Sequence, residues 1–415
     1  MAKFAILGVA ARGHFNPSLP VIAELAARGH DVTVFNCAEY ESIARSVGAD
    51  FVEFPGDFSS RKLAEVLYDG NLGRALTFSR EAAMVVVPWL NEQLPRFNPD
   101  VVVYDAQAIF GHISTKMLDM KSAAMFPYPV IEATRHLMGW QATLRSIRLN
   151  GPFLFPLLKT RFDIERKFGR ETFPHTRPRF QSRGDITLML TSPVLQRPDA
   201  YRDDSMFYVG PCIEEKSRED DFPWDKLDER PLIYISMGTL VTSNIEFFRT
   251  AIAVLKDLPA QFVMSIGQLF DVKDLGEIPD NFIVRPYVPQ LQILKRASMF
   301  VTHAGFTGFQ EALWYGVPMV AIPQQLEQLM NGRLAGERGA CISIEDSYMG
   351  KPVDGTRLRQ AVEQMLGDPS YRAGAKALGD ELRGLGGATR AAKVLEAFVE
   401  TPGHTPPPPA IGLDG

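Results

Sequence analysis

The stretch SMFVTHAGFTGFQEALWYGVPMVAIPQQLEQLMN, residues 298–331, decides the fold. Met299 to Thr302 is a short apolar run with a β-branched centre, the pattern of a buried strand. His303-Ala304-Gly305 makes a tight turn, and Gly305 and Gly308 allow close backbone approach. Thr307 is a suitable N-cap for a short helix that runs to Tyr315 and is closed by Gly316 and Pro318. Val317 to Ile322 then reads as a second buried strand. Strand, glycine turn, helix, strand is one half of a doubly wound sheet, with free N–H groups aimed where an anion would sit. Taken alone, His303 beside such a turn is more often an ordinary core or capping histidine. The residues that follow change its weight: Glu311 lies about one helical turn past Thr307. Glu327, Gln328 and Asn331 then gather after the next strand. An anion cradle, a carboxylate and a polar trio make a plausible series of subsites for a phosphate, a ribose and a sugar.

Working outward, the amino-terminal end repeats the pattern. Phe4 to Val9 reads as a strand, Arg12-Gly13-His14 as a turn, and Asn16-Pro17 as the cap and first position of a helix reaching about Arg28 and ending at Gly29. Asp31 to Phe35 is the next strand. His14 is thereby expected on a loop at the carboxyl end of a strand, where ligands sit in open α/β sheets. Asp105 directly follows the buried run Val101–Tyr104 and shares that edge. A carboxylate there can be merely a helix cap. Paired with His14 it has a chemical use, because a histidine that takes a proton from a hydroxyl works better when a carboxylate orients it.

The chain has 415 residues, 46% hydrophobic and 22% charged, which suits two globular domains rather than one core. A net charge of -5 gives no reason to expect nucleic acid or an anionic membrane surface as the main partner. No apolar run is long enough to cross a bilayer, and the amino terminus lacks the layout of a signal peptide. Cys37, Cys212 and Cys341 lack metal-ligand spacing, so a reduced, cytoplasmic setting is expected. Residues 57–89 carry Gly, Ser and aromatics, followed by a helical pattern from about Arg74 to Arg96. Residues 126–168 are apolar and Pro-broken; there Met125, Phe126, Met138, Trp140, Phe153 and Phe155 could line an apolar pocket, although each alone reads more readily as core. His112 and His136 receive no catalytic role.

Residues 1–209 form the expected first domain, ending in strands Ile186–Leu190 and Phe207–Val209. The acidic, polar run 210–231 reads as a linker. The second domain spans 232–386, with strands Leu232–Ser236, Gln261–Ser265 and Phe282–Arg285. Gly238-Thr239 follows the first of these. Residues 354–389 read as helices, 387–400 as a terminal helix, and 401–415 as a disordered tail.

Three fragments together, Tyr287-Val288-Pro289-Gln290, then H-A-G-x-x-G-x-x-E, then P-x-x-x-E-Q-x-x-N, resemble the nucleotide-sugar signature of the inverting GT-B glycosyltransferases. The likeness is to bacterial macrolide and natural-product members and to plant and animal UDP-glycosyltransferases. It extends weakly over the rest of the chain through A-R-G-H-F-N-P-S-L near the amino terminus. The resemblance implies two Rossmann-like domains facing a cleft, a UDP-sugar as co-substrate, no separate cofactor and no metal. It makes His14 the catalytic base and Asp105 its orienting acid. It puts Gly238 and Thr239 near the phosphates, Tyr287 and Val288 at the base, and Gln290 and Glu311 on the ribose. His303, Gly305, Thr307 and Gly308 fall on the diphosphate, and Glu327 and Gln328 on the sugar. The terminal helix crosses back onto the first domain. The chain departs from the family's pattern in three places: Tyr287 stands where the family usually has Trp, Thr307 and Gly308 where plant members have Asn and Ser, and Glu327 where many glucose users have Asp. Glucose is the default donor sugar. The expected acceptor is an apolar aglycone such as a macrolide, polyketide or phenol, and the chain is expected as a monomer or homodimer without stable membrane insertion. Alternatives in the same fold are a UDP-N-acetylglucosamine epimerase and a lipid glycosyltransferase. The lipid reading requires an exposed apolar or basic face that the charge pattern does not display. A non-catalytic helper protein would lack the His14 and His303 positions present here.

Overall fold

The structure, a computed structural model, describes residues 1–67, 72–128, 144, 147–148, 151–174, 182–196, 201–213, 222–238, 245–267 and 269–408. It divides into two compact units, one comprising Met1–Glu214 with Arg383–Gly415 and the other Glu215–Leu382.

The first unit holds a parallel sheet of β1 (Lys3–Leu7), β2 (Asp31–Asn36), β3 (Asp50–Glu53), β4 (Val101–Asp105), β5 (Ser122–Phe126), β6 (Ile186–Met189) and β7 (Met206–Tyr208) in the order β3-β2-β1-β4-β5-β6-β7. Its central strands β4 and β5 are buried at every residue, as expected where helices cover both faces of a parallel sheet. The order reverses between β1 and β4, which pair in parallel with Leu7 opposite Tyr104. A reversal of this kind leaves a crevice at the carboxyl ends of the two strands. The terminal helix Gly387–Glu400 belongs to this unit. Its Glu396 accepts from Arg28 and His30, both at 2.9 Å, and Lys121 Nζ donates to the carbonyls of Phe398 and Val399, both at 3.0 Å, and of Thr401. A cation on the last carbonyls of a helix satisfies acceptors that the helix itself cannot.

The second unit repeats the design with β8 (Leu232–Ser236), β9 (Gln261–Ser265), β10 (Phe282–Arg285), β11 (Met299–Thr302), β12 (Met319–Ala321) and β13 (Cys341–Ser343), in the order β10-β9-β8-β11-β12-β13. All pairs are parallel, and the reversal falls between β8 and β11, with Ser236 opposite Thr302.

Two local expectations, for His14 and for the tail, are corrected. The chain is already helical at Arg12–Phe15 and passes through a tighter turn at Asn16–Ser18 into the helix Leu19–Ala27, so His14 lies on a helical turn rather than a loop and Asn16 caps nothing. Pro17 is tolerated there because its fixed φ suits an early helical position. The acidic run expected as linker is packed at its end: Phe222 is buried, and the Gln261 side chain bonds the Lys226 carbonyl and the Asp228 amide. Residues 214–221 lie outside the described set. The tail is ordered through Pro408, with His404 Nδ1 2.9 Å from Asp185 and the Thr401 hydroxyl donating to the Thr405 carbonyl; residues 409–415 are not among those described.

Candidate active site

In the first unit, β1 and β4 bring His14 and Asp105 together across ninety-one residues of chain. Asp105 ends β4 and is buried, while His14 sits on the helical turn after β1 with its ring one-fifth exposed. His14 Nδ1 lies 3.2 and 3.1 Å from the two carboxylate oxygens, and the Gln107 amide donates to Oδ1 at 2.8 Å. An ionised carboxylate there accepts from Nδ1–H. That choice of tautomer puts the basic lone pair on Nε2. Tyr128 packs edge-on against the imidazole with ring centres 5.4 Å apart. Burial, and after it the charge of Asp105, hold the Tyr128 hydroxyl well above its usual pKa, so it stays protonated. A recess of about 10 Å³, enough for one water, is lined by His14, Asp105, Gly8, Phe15 and Met125.

Three of the six apolar positions singled out nearby, Met125, Phe126 and Phe155, have described side chains. Met125 and Phe126 are core residues of β5, and Phe155 is 75% exposed. Met138, Trp140, His136 and the side chain of Phe153 lie outside what is described. His112 is a buried structural histidine whose Nδ1 lies 3.0 Å from the Arg183 carbonyl.

In the second unit, the turn after β11 carries His303, Ala304 and Gly305 into the helix Phe306–Trp314. The cap is Gly305, not Thr307, which falls inside the first turn. The reason is space. A Cβ on Gly305 would collide with His303 Nε2, and one on Gly238, after β8, would lie 2.5 Å from His303 Cε1. The two glycines therefore hold the imidazole between them. Gly238 also has φ +80°, whereas Gly305 has an ordinary φ of -61°. Burial, opposed in part by the Ser236 backbone, pushes the His303 pKa down to about 4, so the ring is neutral at physiological pH. The first amides of the helix have no partner within the helix, which is the ordinary condition of a helix start and suits an anion. Thr239 lies outside the described residues.

Around this turn the second unit builds two polar chains. Tyr234 of β8 donates its hydroxyl to Gln290 Oε1 at 3.0 Å, and Gln290 Nε2 donates to Glu311 Oε2 at 2.5 Å. Gln290 and Glu311, paired on paper, are thus paired in space. Tyr287 is 48% exposed and offers its ring face, whereas the Val288 side chain is buried at 2% and leaves only its backbone to contribute. In the other chain, Asn331 Nδ2 donates to the Ala304 carbonyl at 2.9 Å and to Glu327 Oε1 at 2.6 Å. Ala304 is one of three non-glycine residues with positive φ among those described, at +61°. Its amide donates to Thr302 Oγ1 at 3.2 Å. Asn331 therefore holds the turn that carries His303, a role its place in the polar trio did not suggest. Gln328 is buried, and its Oε1 accepts from the Gln324 and Gln325 amides at 2.9 and 3.2 Å, so that oxygen serves the start of the helix Leu326–Glu337. Sequence reasoning also missed Tyr234; the available signal was a hydroxyl-bearing ring inside the apolar run of β8.

Residues 65–380 match the family described as UDP-glucoronosyl and UDP-glucosyl transferase. The chain belongs to this family. It is 30% identical over 409 residues to an uncharacterized UDP-glucosyltransferase, YojK, of Bacillus subtilis, covering 96% of this chain and 98% of that one. It is 28% identical to the oleandomycin glycosyltransferase of Streptomyces antibioticus, covering 95% and 90%. Among solved structures, the glycosyltransferase of kitacinnamycin superposes with a TM-score of 0.80 at 28% identity, covering 95% and 98%. The two doubly wound sheets are those of the GT-B class, and the protein is a glycosyltransferase enzyme of that class. Among the described residues no helix is long and apolar enough to cross a membrane.

Proposed function

We propose that this glycosyltransferase moves a sugar, glucose by default, from a UDP-sugar to a hydroxyl of an apolar small molecule such as a macrolide, polyketide or phenol, with inversion. His14 Nε2 takes the acceptor proton, the acceptor oxygen bonds to the anomeric carbon, and the bond from that carbon to the diphosphate breaks. Asp105 fixes the tautomer and stabilises the imidazolium that forms. The departing UDP carries the new negative charge, which His303 and the amides of the helix Phe306–Trp314 offset as preset donors. These donors act in place of a metal ion. Glu311 and Gln290 take the ribose hydroxyls, Tyr287 stacks on uracil, and Glu327 with the free edge of Gln328 meets the sugar.

The observation that carries this reading is the doubly contacted Nδ1 of His14 on buried Asp105 at the reversal of the first sheet. It is supported by family membership and by the Gln290–Glu311 pair. The test is product mass after incubation with UDP- and dTDP-sugars and a panel of phenolic and macrolide acceptors, with and without EDTA. Transfer from UDP-glucose that survives EDTA and is lost in His14→Ala is expected. Undiminished transfer by His14→Ala, or activity that returns only with added Mn²⁺ or Mg²⁺, overturns it.

A further inference from the structure

The helix Leu154–Phe168 carries large apolar side chains on an exposed face as well as on its buried one. Its inner face, Thr160, Ile164 and Phe168, is buried. Phe155, Leu158 and Phe162 repeat at the spacing of a core-facing stripe, yet they are 75, 55 and 62% exposed. Isolated exposed apolar side chains are ordinary, but three large ones within two turns of one helix face form a patch. Upstream, Leu144 and Ile147 are also exposed, at 55 and 64%.

The charge around the patch decides its occupant. Residues 144–170 carry seven Arg and Lys against Asp163 and Glu165 alone, on a chain whose net charge is -5. Both acids are engaged: Asp163 accepts from Arg80 at 2.5 Å and from Lys159 at 3.0 Å, and Glu165 accepts from Arg161 at 2.7 Å. Arg166 and Lys167 are exposed beside the stripe, and Lys167 donates to the Met84 carbonyl at 3.1 Å and lies 5.3 Å from the Phe168 ring centre. Protruding Phe and Leu between cations on an otherwise acidic protein are what an anionic bilayer surface takes up.

We propose that this helix face docks the enzyme on an anionic phospholipid bilayer, lying in the interface plane with Phe155, Leu158 and Phe162 among the upper acyl chains. A second copy of the chain is a poorer occupant, since two-fold pairing of this patch sets one basic segment against another. The face is one that the overall charge could not reveal, because the local excess of cations is cancelled in the total.

The test is co-sedimentation of the full chain with vesicles of phosphatidylcholine alone and of phosphatidylcholine with phosphatidylglycerol, at low and high salt. Binding to the anionic vesicles only, weakened by salt, is expected. Leu158→Ser with Phe162→Ser should weaken it at least about tenfold, and Arg166→Glu by roughly fivefold or more. Far-UV circular dichroism and melting of the variants show that they fold. Equal binding to neutral vesicles, no binding at all, or unchanged binding by the Leu158/Phe162 variant overturns the proposal. So does a dimer, seen in sedimentation velocity without any vesicle binding, that the same substitutions dissociate. A rise in acceptor KM in that variant without vesicle binding also overturns it, and reassigns the face to the acceptor.

Discussion

Replacing Gly305 by Ala should harm the protein for a reason that lies in another residue. The backbone at Gly305 is φ -61°, ψ 141°, which alanine adopts without strain. On backbone grounds alone the change is close to neutral: a gain of roughly 0.4–1 kcal/mol from a stiffer unfolded chain is set against a loss of a few tenths or more at the cap position. The side chain has no room, however. Its Cβ would overlap His303 Nε2 and lie 3.1 and 3.2 Å from Cε1 and Cδ2. The ring cannot swing away, because Gly238 closes its other side. The turn cannot yield, because Ala304 is tied to Asn331 and Thr302. Overpacking of this kind costs about 1–3 kcal/mol, so Gly305→Ala should destabilise by roughly that amount. The decisive measurement is a double-mutant cycle with His303→Ala, read by chemical denaturation and by UDP affinity in titration calorimetry. In the His303→Ala background the overlap is gone, and Gly305→Ala should cost less than about 0.5 kcal/mol. A coupling energy near zero, with Gly305→Ala equally harmful in both backgrounds, refutes the idea that the ring sets the requirement for glycine.

Other outcomes follow from the same geometry. Asp105→Asn keeps the shape of the pair but no longer fixes the tautomer or stabilises the imidazolium; turnover should fall by roughly 10²-fold or more, with UDP affinity unchanged by calorimetry. Because burial lowers the His303 pKa from 6.5 to about 4, the unfolded chain binds that proton more tightly than the folded one. The contribution to stability is therefore complete above about pH 6.5 and is lost as pH falls through 4; denaturation of His303→Gln against the parent should reveal a difference on the order of 3 kcal/mol across that window. Tyr234→Phe removes the hydroxyl that holds Gln290 Oε1 and should weaken UDP binding about three- to tenfold. The parent should prefer UDP over dTDP in the same calorimetric titrations, and Glu311→Ala should erase that preference.

How far the sequence could be read depends on how local each determinant is. The strands Leu232–Ser236, Gln261–Ser265, Phe282–Arg285 and Met299–Thr302 fall at their expected limits. Strands of a parallel sheet are covered on both faces, so their apolar runs are continuous and end where burial ends. The pairing of His14 with Asp105 was accessible despite the distance along the chain, because both follow apolar runs whose carboxyl ends meet in such a sheet. The positions that escaped depend on a partner that no local pattern names. Tyr234 meets Gln290 fifty-six residues away, and Asn331 meets the Ala304 carbonyl across twenty-seven. The left-handed turn at Ala304 could not be anticipated, since alanine rarely adopts it; it is held by those remote bonds. The stripe Phe155, Leu158, Phe162 shows the converse failure: its period signals burial, and only the opposite, buried face of the helix reveals that it points outward.

The two sheets also show how one side chain is given two chemistries. Both reverse their strand order between the third and fourth strands of the sheet, and both set a histidine just beyond it. In the first unit a buried carboxylate contacts Nδ1, so the ring can accept a proton and remain stabilised as a cation. In the second, Gly238 and Gly305 admit the ring closely, and burial keeps it neutral. A base must be able to change charge during the reaction; a donor to a departing diphosphate is better fixed, because an uncharged ring needs no counter-ion before the diphosphate arrives. Exchanging the environments should exchange the behaviours: a carboxylate placed against His303 would raise its pKa and put a negative charge where the proposed leaving group must sit, weakening UDP binding even as it made the histidine more basic.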